Sequence, residues 1–489
     1  MRTDRDTSRV PRSTAHSPLA ALVGIALLLV TGCAVGPRYV KPTAQVPPAF
    51  KEMGPNWKQA QPNDQIARGE WWQVFDDSRL NGLEDKINVS NQNLKIAQDQ
   101  YLQARAMVRI SRSGYYPVVT GSSSVSPTRL SNNRPLSNSN SKNRYTDYFL
   151  PIDAAYEGDV WGRVRRTVEA SRSEAQASAA DLESVNLSLH SELAVDYFEL
   201  RGLDAQEELF NSTVMAYEDA LKLAQERYRG GLASGLDVSQ AQTQLETTRS
   251  QAIDIGVQRA QFEHAIAVLV GEPASTFSLP ALPLNSIPPT TPAGLPSDLL
   301  ERRPDIAAAE RRVEEANAQI GIAKAAYYPL ISLTAAGGFE SIQPGTWFSG
   351  PSGLWALGAS AIMTLFDGGR RRAVSDQAKA AYDQSVASYR EIVLTSFQDV
   401  EDNLAALRIL EGESKTQTEA VTAAQRTLTL STSLYKGGLT TYLQVITAQS
   451  ATLANERTAV DISTRRMVSS VFLIKAIGGG WDRAYLPKA

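Results

Sequence analysis

The sequence has one cysteine, three histidines and no uninterrupted apolar run long enough to cross a bilayer as a helix. A lone thiol, Cys33, excludes an internal disulfide framework and a thiolate metal cluster. His16, His190 and His264 lack the spacing of a metal site, and no phosphate-binding glycine loop follows a strand. No enzyme, cofactor or metal is therefore expected. Net charge is small as well: 49 Lys+Arg against 52 Asp+Glu, without the basic excess of a nucleic-acid binder.

What is present begins with a processing signal. Arg2, Arg5, Arg9 and Arg12 precede an apolar run from Leu19 to Val30, which suits a secretory signal core and is too short to span a membrane. The run ends at Val30-Thr31-Gly32-Cys33, which resembles a bacterial lipobox. Cleavage after residue 32 and acylation of Cys33, palmitate included, are expected. A buried free thiol is the alternative, but the position directly after the apolar run favours lipid. Ala34 follows, where an inner-membrane retention signal would have Asp. A single acyl chain holds a protein weakly, so further membrane contacts are expected, and without apolar helices these fall to β-strands.

The same unit occurs twice. Gly114-Tyr115-Tyr116-Pro117 is echoed by Ala326-Tyr327-Tyr328-Pro329, and Gly162-Arg163 by Gly369-Arg370. Tyr228-Arg229-Gly230-Gly231-Leu232 returns as Tyr435-Lys436-Gly437-Gly438-Leu439, and Ala241-Gln242 as Ala448-Gln449, each 207 positions later. Prolines at 273, 280, 283, 288, 289, 292 and 296 make the connection an extended crossing. The boundaries expected are a signal peptide (1–32), an extended lipid-anchored arm (33–78), repeat 1 (79–272), a Pro-rich linker (273–296), repeat 2 (297–478) and a tail (479–489).

Each repeat reads helix, strand, loop, strand, very long helix, turn, helix. The approach helices are expected over 79–113 and 297–325, with Pro304 delaying the regular start of the second. Tyr148, Leu150, Ile152, Ala154 and Tyr156 alternate with Phe149, Pro151, Asp153, Ala155 and Glu157, and residues 355–366 alternate likewise. That pattern fits membrane barrel strands or a half-buried hairpin; secretion and lipidation favour the barrel. The Ser- and Asn-rich stretch 122–143 reads as the exposed loop of the first hairpin. Two hairpins give four strands, whereas known membrane barrels begin at about eight, so the chain must oligomerise. From Arg163 to Tyr228, and from Arg370 to Tyr435, there is no Pro and one interior Gly, Gly202 or Gly412. At ~1.5 Å per residue each helix would run about 100 Å. Leu203, Phe210, Tyr217 and Ala224 interleave with Val214, Leu221 and Tyr228 at coiled-coil spacing. Gly230-Gly231 and Gly437-Gly438 end these helices, and the chain reverses into 236–270 and 443–477.

Several motifs together resemble the TolC-like outer-membrane factors of lipoprotein type that serve resistance-nodulation-division pumps. They are Cys33 to Tyr39 (CAVGPRY), Trp71-Trp72 with Phe75, Asp77 and Leu80, and Leu295 to Ile306 (LPSDLLERRPDI) continuing to Tyr328-Pro329. The resemblance covers essentially the whole processed chain. It implies an α+β membrane protein: a homotrimer with a twelve-stranded outer-membrane β-barrel, a coiled-coil α-barrel crossing the periplasm, and a small equatorial domain. The implied function is a passive exit duct for drugs or other toxic compounds, hence antibiotic resistance. Its implied partners are a periplasmic adaptor, an inner-membrane proton-driven pump and outer-membrane lipid. Arg229, Gly230, Gly231 and Leu232, with Lys436, Gly437, Gly438 and Leu439, resemble the adaptor-docking tips; as ordinary helix reversals they would carry no such role. Asp237 stands at the place of a gate aspartate and Tyr435 at that of its hydrogen-bonding partner, with Lys436 as a nearby counter-charge. Leu443 is an apolar constriction candidate. Where the family carries carboxylates after the second tip, this chain has Gln444 and Thr447, which removes the basis for cation selectivity there. A duct for type I protein secretion and a periplasmic adaptor lipoprotein are the alternatives; an adaptor would show one helical hairpin flanked by β-rich segments, not two long helices in tandem.

Overall fold

The computed structural model of the chain describes residues 34–52, 69–135, 143–284, 287–289 and 298–487. The signal peptide, Cys33, residues 53–68 of the arm, 136–142 of the first loop, and 285–286 and 290–296 of the Pro-rich linker lie outside the described residues. In order, the elements are α1 (Ser78–Ser90), α2 (Gln92–Ser113), β1 (Val118–Gly121), β2 (Ser124–Arg129), β3 (Arg144–Gly158), α3 (Arg163–Arg229), α4 (Gly235–Leu269), the single turn α5 (Leu299–Arg302), α6 (Pro304–Ala325), β4 (Leu330–Ser341), β5 (Gly353–Ile362), α7 (Arg370–Lys436) and α8 (Tyr442–Ala476). The duplication is visible in the lengths: α3 and α7 each have 67 residues, α4 and α8 each 35.

Both approach helices are divided, each for a local reason. Asn91 interrupts the first; its side chain accepts from the Leu94 N–H and donates to the Leu269 carbonyl, so it caps α2 while its amide is bound elsewhere. Pro304 starts α6, and Arg303 before it is pushed out of helical conformation.

The chain divides into two compact units, 1–41 with 104–174 and 312–385, and 42–103 with 175–311 and 386–489. The first holds an antiparallel sheet in which β1 and β2 both pair with β3, β3 with β4, and β4 with β5. β1 and β2 are two parts of one strand, interrupted where Ser122 meets Pro151: its N–H reaches the Pro151 carbonyl at 3.2 Å, but proline has no N–H to return. On Pro151's other side stands Gly338, where a side chain has no room, since a Cβ would lie 2.1 Å from the Leu150 carbonyl oxygen. The long first loop expected over 122–143 is thus shorter, because 124–129 is strand. Its serines mislead by composition; Ser124, Ser126 and Thr128 belong to a polar face while Val125 and Pro127 belong to the other. The last strand also ends early, at Ile362 rather than 366, because its partner β4 begins at Leu330 opposite Ile362 and leaves nothing beyond to pair with.

Directly opposed residues share a face. One face therefore carries Leu150, Ile152, Ile331, Leu333, Trp355 and Leu357, and the other Asp147, Asp153, Glu157, Ser332, Glu340 and Ser360. Leu330 to Phe339 spans about 30 Å along the strand, or about 24 Å of height at a barrel-like tilt. Aromatics mark both ends of that span. Trp347 lies against Tyr148 and stacks on Phe348, while Trp161 stacks on Tyr328 and donates its indole N–H to the Pro329 carbonyl. At the Trp161 end, the arm's Val35 N–H bonds the Trp161 carbonyl, and the Pro37 carbonyl accepts from Arg166 and Asn317.

The second unit has its own core, where Trp71, Trp72 and Phe75 of a 3₁₀ turn meet Leu80 and Ile87 of α1, Leu193, Tyr197 and Phe198 of α3, Ile266 of α4, and Val471 of α8. Of the coiled-coil seam, Leu203, Phe210, Tyr217 and Ala224 are buried; Val214 and Leu221 are half-buried and Tyr228 is exposed.

Candidate functional site

The two helix reversals are built alike. In the first, the N–H of Leu232 bonds the Arg227 carbonyl and that of Gly231 the Tyr228 carbonyl; in the second, Leu439 bonds Leu434 and Gly438 bonds Tyr435. This 6→1 and 5→2 pairing needs a left-handed residue, supplied by Gly231 at φ 72° and Gly438 at φ 75°. Arg229, Gly230, Lys436 and Gly437 are solvent-exposed at the turns. Leu232 and Leu439 project into solvent at 71% and 78% exposure, at the same place in the two turns.

Behind the turns the four helix ends converge on Ala224, Ala241, Tyr435, Tyr442 and Val445, with Leu221, Val238, Leu428 and Ile446 at the margin. The Tyr435 and Tyr442 rings are 5.1 Å apart. Burial, then the charge of Asp237, raises the Tyr435 phenol above its ordinary pKa, while Arg227 pulls it down. Burial, with Tyr435, Tyr217 and Asp237 adding to it, pushes Tyr442 up to about 12.

The structure places Asp237 beside Tyr435, and the Asp237 carboxylate and the Arg227 guanidinium are the side chains that act on the Tyr435 hydroxyl. The hydroxyl is buried, at a separation from both that is longer than an ideal hydrogen bond. One Asp237 oxygen accepts from the Ser234 hydroxyl at 3.0 Å, and Ser234 caps α4 by accepting from the Asp237 N–H. Lys436 is not the counter-charge that the geometry offers; Arg227 is. Its guanidinium lies 4.9 Å from the Tyr435 ring centroid and donates to the Lys436 carbonyl at 2.9 Å. The second copy lacks this set: Leu434 stands for Arg227 and Gln444 for Asp237, and its cap residue Thr441 makes no side-chain bond. Leu443, Gln444 and Thr447 lie exposed along the first turns of α8, and the Thr447 hydroxyl is spent on the Leu443 carbonyl. Sequence reading missed Arg227, Ser234 and Tyr442. Aligning the copies exposes the signal for Arg227, a cation in one and a leucine in the other.

Of the histidines, His190 is packed in the core of the second unit, stacked on Trp72 and bonded to Glu84, while His264 is exposed.

A family model described as "Outer membrane efflux protein" matches residues 83–272 and again 295–479, one match per repeat. The chain belongs to the outer membrane efflux protein family. It is 32% identical over 466 residues to the probable efflux pump outer membrane protein TtgC of Pseudomonas putida, covering 94% of this chain and 95% of that one. It is 30% identical to the cation efflux system protein CusC of Escherichia coli, covering 96% and 100% of the two chains. Among solved structures, the open state of the MtrE outer membrane channel of Neisseria gonorrhoeae superposes with a TM-score of 0.81 at 28% identity, over 92% of this chain and 99% of that one. These relatives are TolC-like channels, so the chain is an outer-membrane efflux protein with a role in transport, extending into the periplasm.

Proposed function

We propose that the protein is the passive exit duct of a tripartite efflux pump, a homotrimer whose three four-stranded sheets close one twelve-stranded barrel. The observation that carries this reading is the sheet: one face is apolar, the other is polar and acidic, and both its edges, β1/β2 and β5, lack a partner strand among the described residues. Open edges of a sheet with a lipid-like face demand closure, and one chain has too few strands to provide it. Cys33 carries the lipid anchor. The exposed Leu232 and Leu439 turns receive the periplasmic adaptor, and the inner-membrane pump supplies the energy. Drugs or solvents are the cargo class suggested by relatives named for antibiotic or toluene efflux, while Gln444 and Thr447 give no cation ring at the aperture.

Outer-membrane fractions should contain a heat-sensitive trimer, and deleting the protein should raise drug or solvent susceptibility; recovery in inner-membrane fractions would instead identify an adaptor. Asp237 and Tyr435 hold the periplasmic end shut. Replacing Asp237 with Ala should admit vancomycin to cells, and unchanged vancomycin entry would contradict this gate.

A further inference from the structure

Arg227, not among the gate residues named from the sequence, reaches the second tip from the first repeat. It lies on the last turn of α3, in the first repeat, yet its contacts are with the second. Nη1 donates to the Lys436 carbonyl at 2.9 Å, Nη2 is 4.0 Å from where a Gly438 side chain would begin, and the guanidinium faces the Tyr435 ring. The last carbonyls of a helix have no partner inside it and carry its negative end. Arg227 thus caps α7 from a different helix, with charge and hydrogen bond acting together.

The same residue reaches the gate. The buried Tyr435 hydroxyl lies where both the Arg227 guanidinium and the half-buried Asp237 carboxylate act on it. Arg227 therefore joins the second turn and the Asp237–Tyr435 pair through one guanidinium.

We propose that Arg227 is the positioning residue that couples the second docking turn to the gate. By gripping the Lys436 carbonyl and the Tyr435 ring at once, it holds the end of α7 against α3, so a partner engaging Lys436–Leu439 must pull against it. Leu434, its counterpart in the other repeat, can form neither contact, so the link is made once per chain, between the second turn and the first helix pair. The inference rests on the gate reading above.

Single-channel recordings of the purified full-length oligomer test it, with Arg227→Ala, Arg227→Lys and Asp237→Ala compared. Removing one charge-assisted hydrogen bond should shift the open-to-closed ratio about tenfold towards open in Arg227→Ala. Arg227→Lys should fall between, since an ammonium can meet the carbonyl but not cover the ring. The oligomer's heat-dissociation temperature should stay at the wild-type value in both, which a merely structural role would not allow. Wild-type gating in Arg227→Ala beside an opened Asp237→Ala would overturn the coupling role alone. Wild-type gating in both would overturn the gate assignment, and this inference with it.

Discussion

At the scale of single residues, the most sharply defined chemistry is in the core, away from the tip. His190 Nδ1 and Glu84 Oε2 are 2.6 Å apart, Nε2 faces the Asn88 side-chain oxygen at 3.3 Å, and the Trp72 ring stacks on the imidazole. Burial, with Asp85 adding to it, raises Glu84 well above the usual carboxylate value, and burial lowers His190 to about 4. A protonated Glu84 donating to Nδ1, with Nε2–H donating to Asn88, satisfies every one of these contacts. The folded pair then holds one proton. Unfolded, it holds two below about pH 4.5, one between about 4.5 and 6.5, and none above. Its contribution to stability should be flat across the middle range, fall as pH rises above about 6.5 towards the folded Glu84 value, and fall again below about 4.5 as His190 is forced to charge. Unfolding of Glu84→Gln followed against pH should show a shallower alkaline decline; an unaltered alkaline limb would show that the pair does not hold this proton. His190 is visible in the sequence as a lone histidine, but its partner lies 106 positions away, and no local pattern joins them.

At the scale of elements, what was legible in the sequence was whatever repeats or whatever one residue type dictates. The glycine pairs located both tips because a left-handed helix end selects glycine, and Pro304 located the start of α6. Strand β2 was not legible, since serines on a polar sheet face have the composition of a loop. Nor was the interruption of the first strand, which follows from a proline on the neighbouring one. That pairing yields a test. Gly338→Val would drive a side chain into the Leu150 carbonyl, 2.1 Å from the first added atom, and break the β3–β4 ladder. Folded oligomer should be lost from the outer membrane by several-fold or more, whereas Gly345→Val, with open space around it, should accumulate normally. Equal yields would mean that the ladder at Pro151 tolerates a shift. Arg227 escaped sequence reading for a related reason: its contacts join the two repeats, and only an alignment of one repeat on the other shows it as an asymmetry.

At the scale of the whole molecule, duplication and oligomerisation are one argument. Each repeat supplies a hairpin and a long-helix reversal, and two repeats supply too few strands for a barrel. Both copies build the same turn, but only the first furnishes Arg227 and Asp237, so the proposed gate would be asymmetric within each chain and recur once per copy in the proposed trimer. The second repeat contributes exposed Leu443, Gln444 and Thr447 without a carboxylate. Among all measurements, the conductance of the purified protein in a planar lipid bilayer bears most directly on the claim that this is a gated duct closed by several chains. The account predicts discrete channel steps from the trimer, small in the resting protein and larger in Asp237→Ala. No steps from any oligomer, or steps of full size from a monomer, would contradict it.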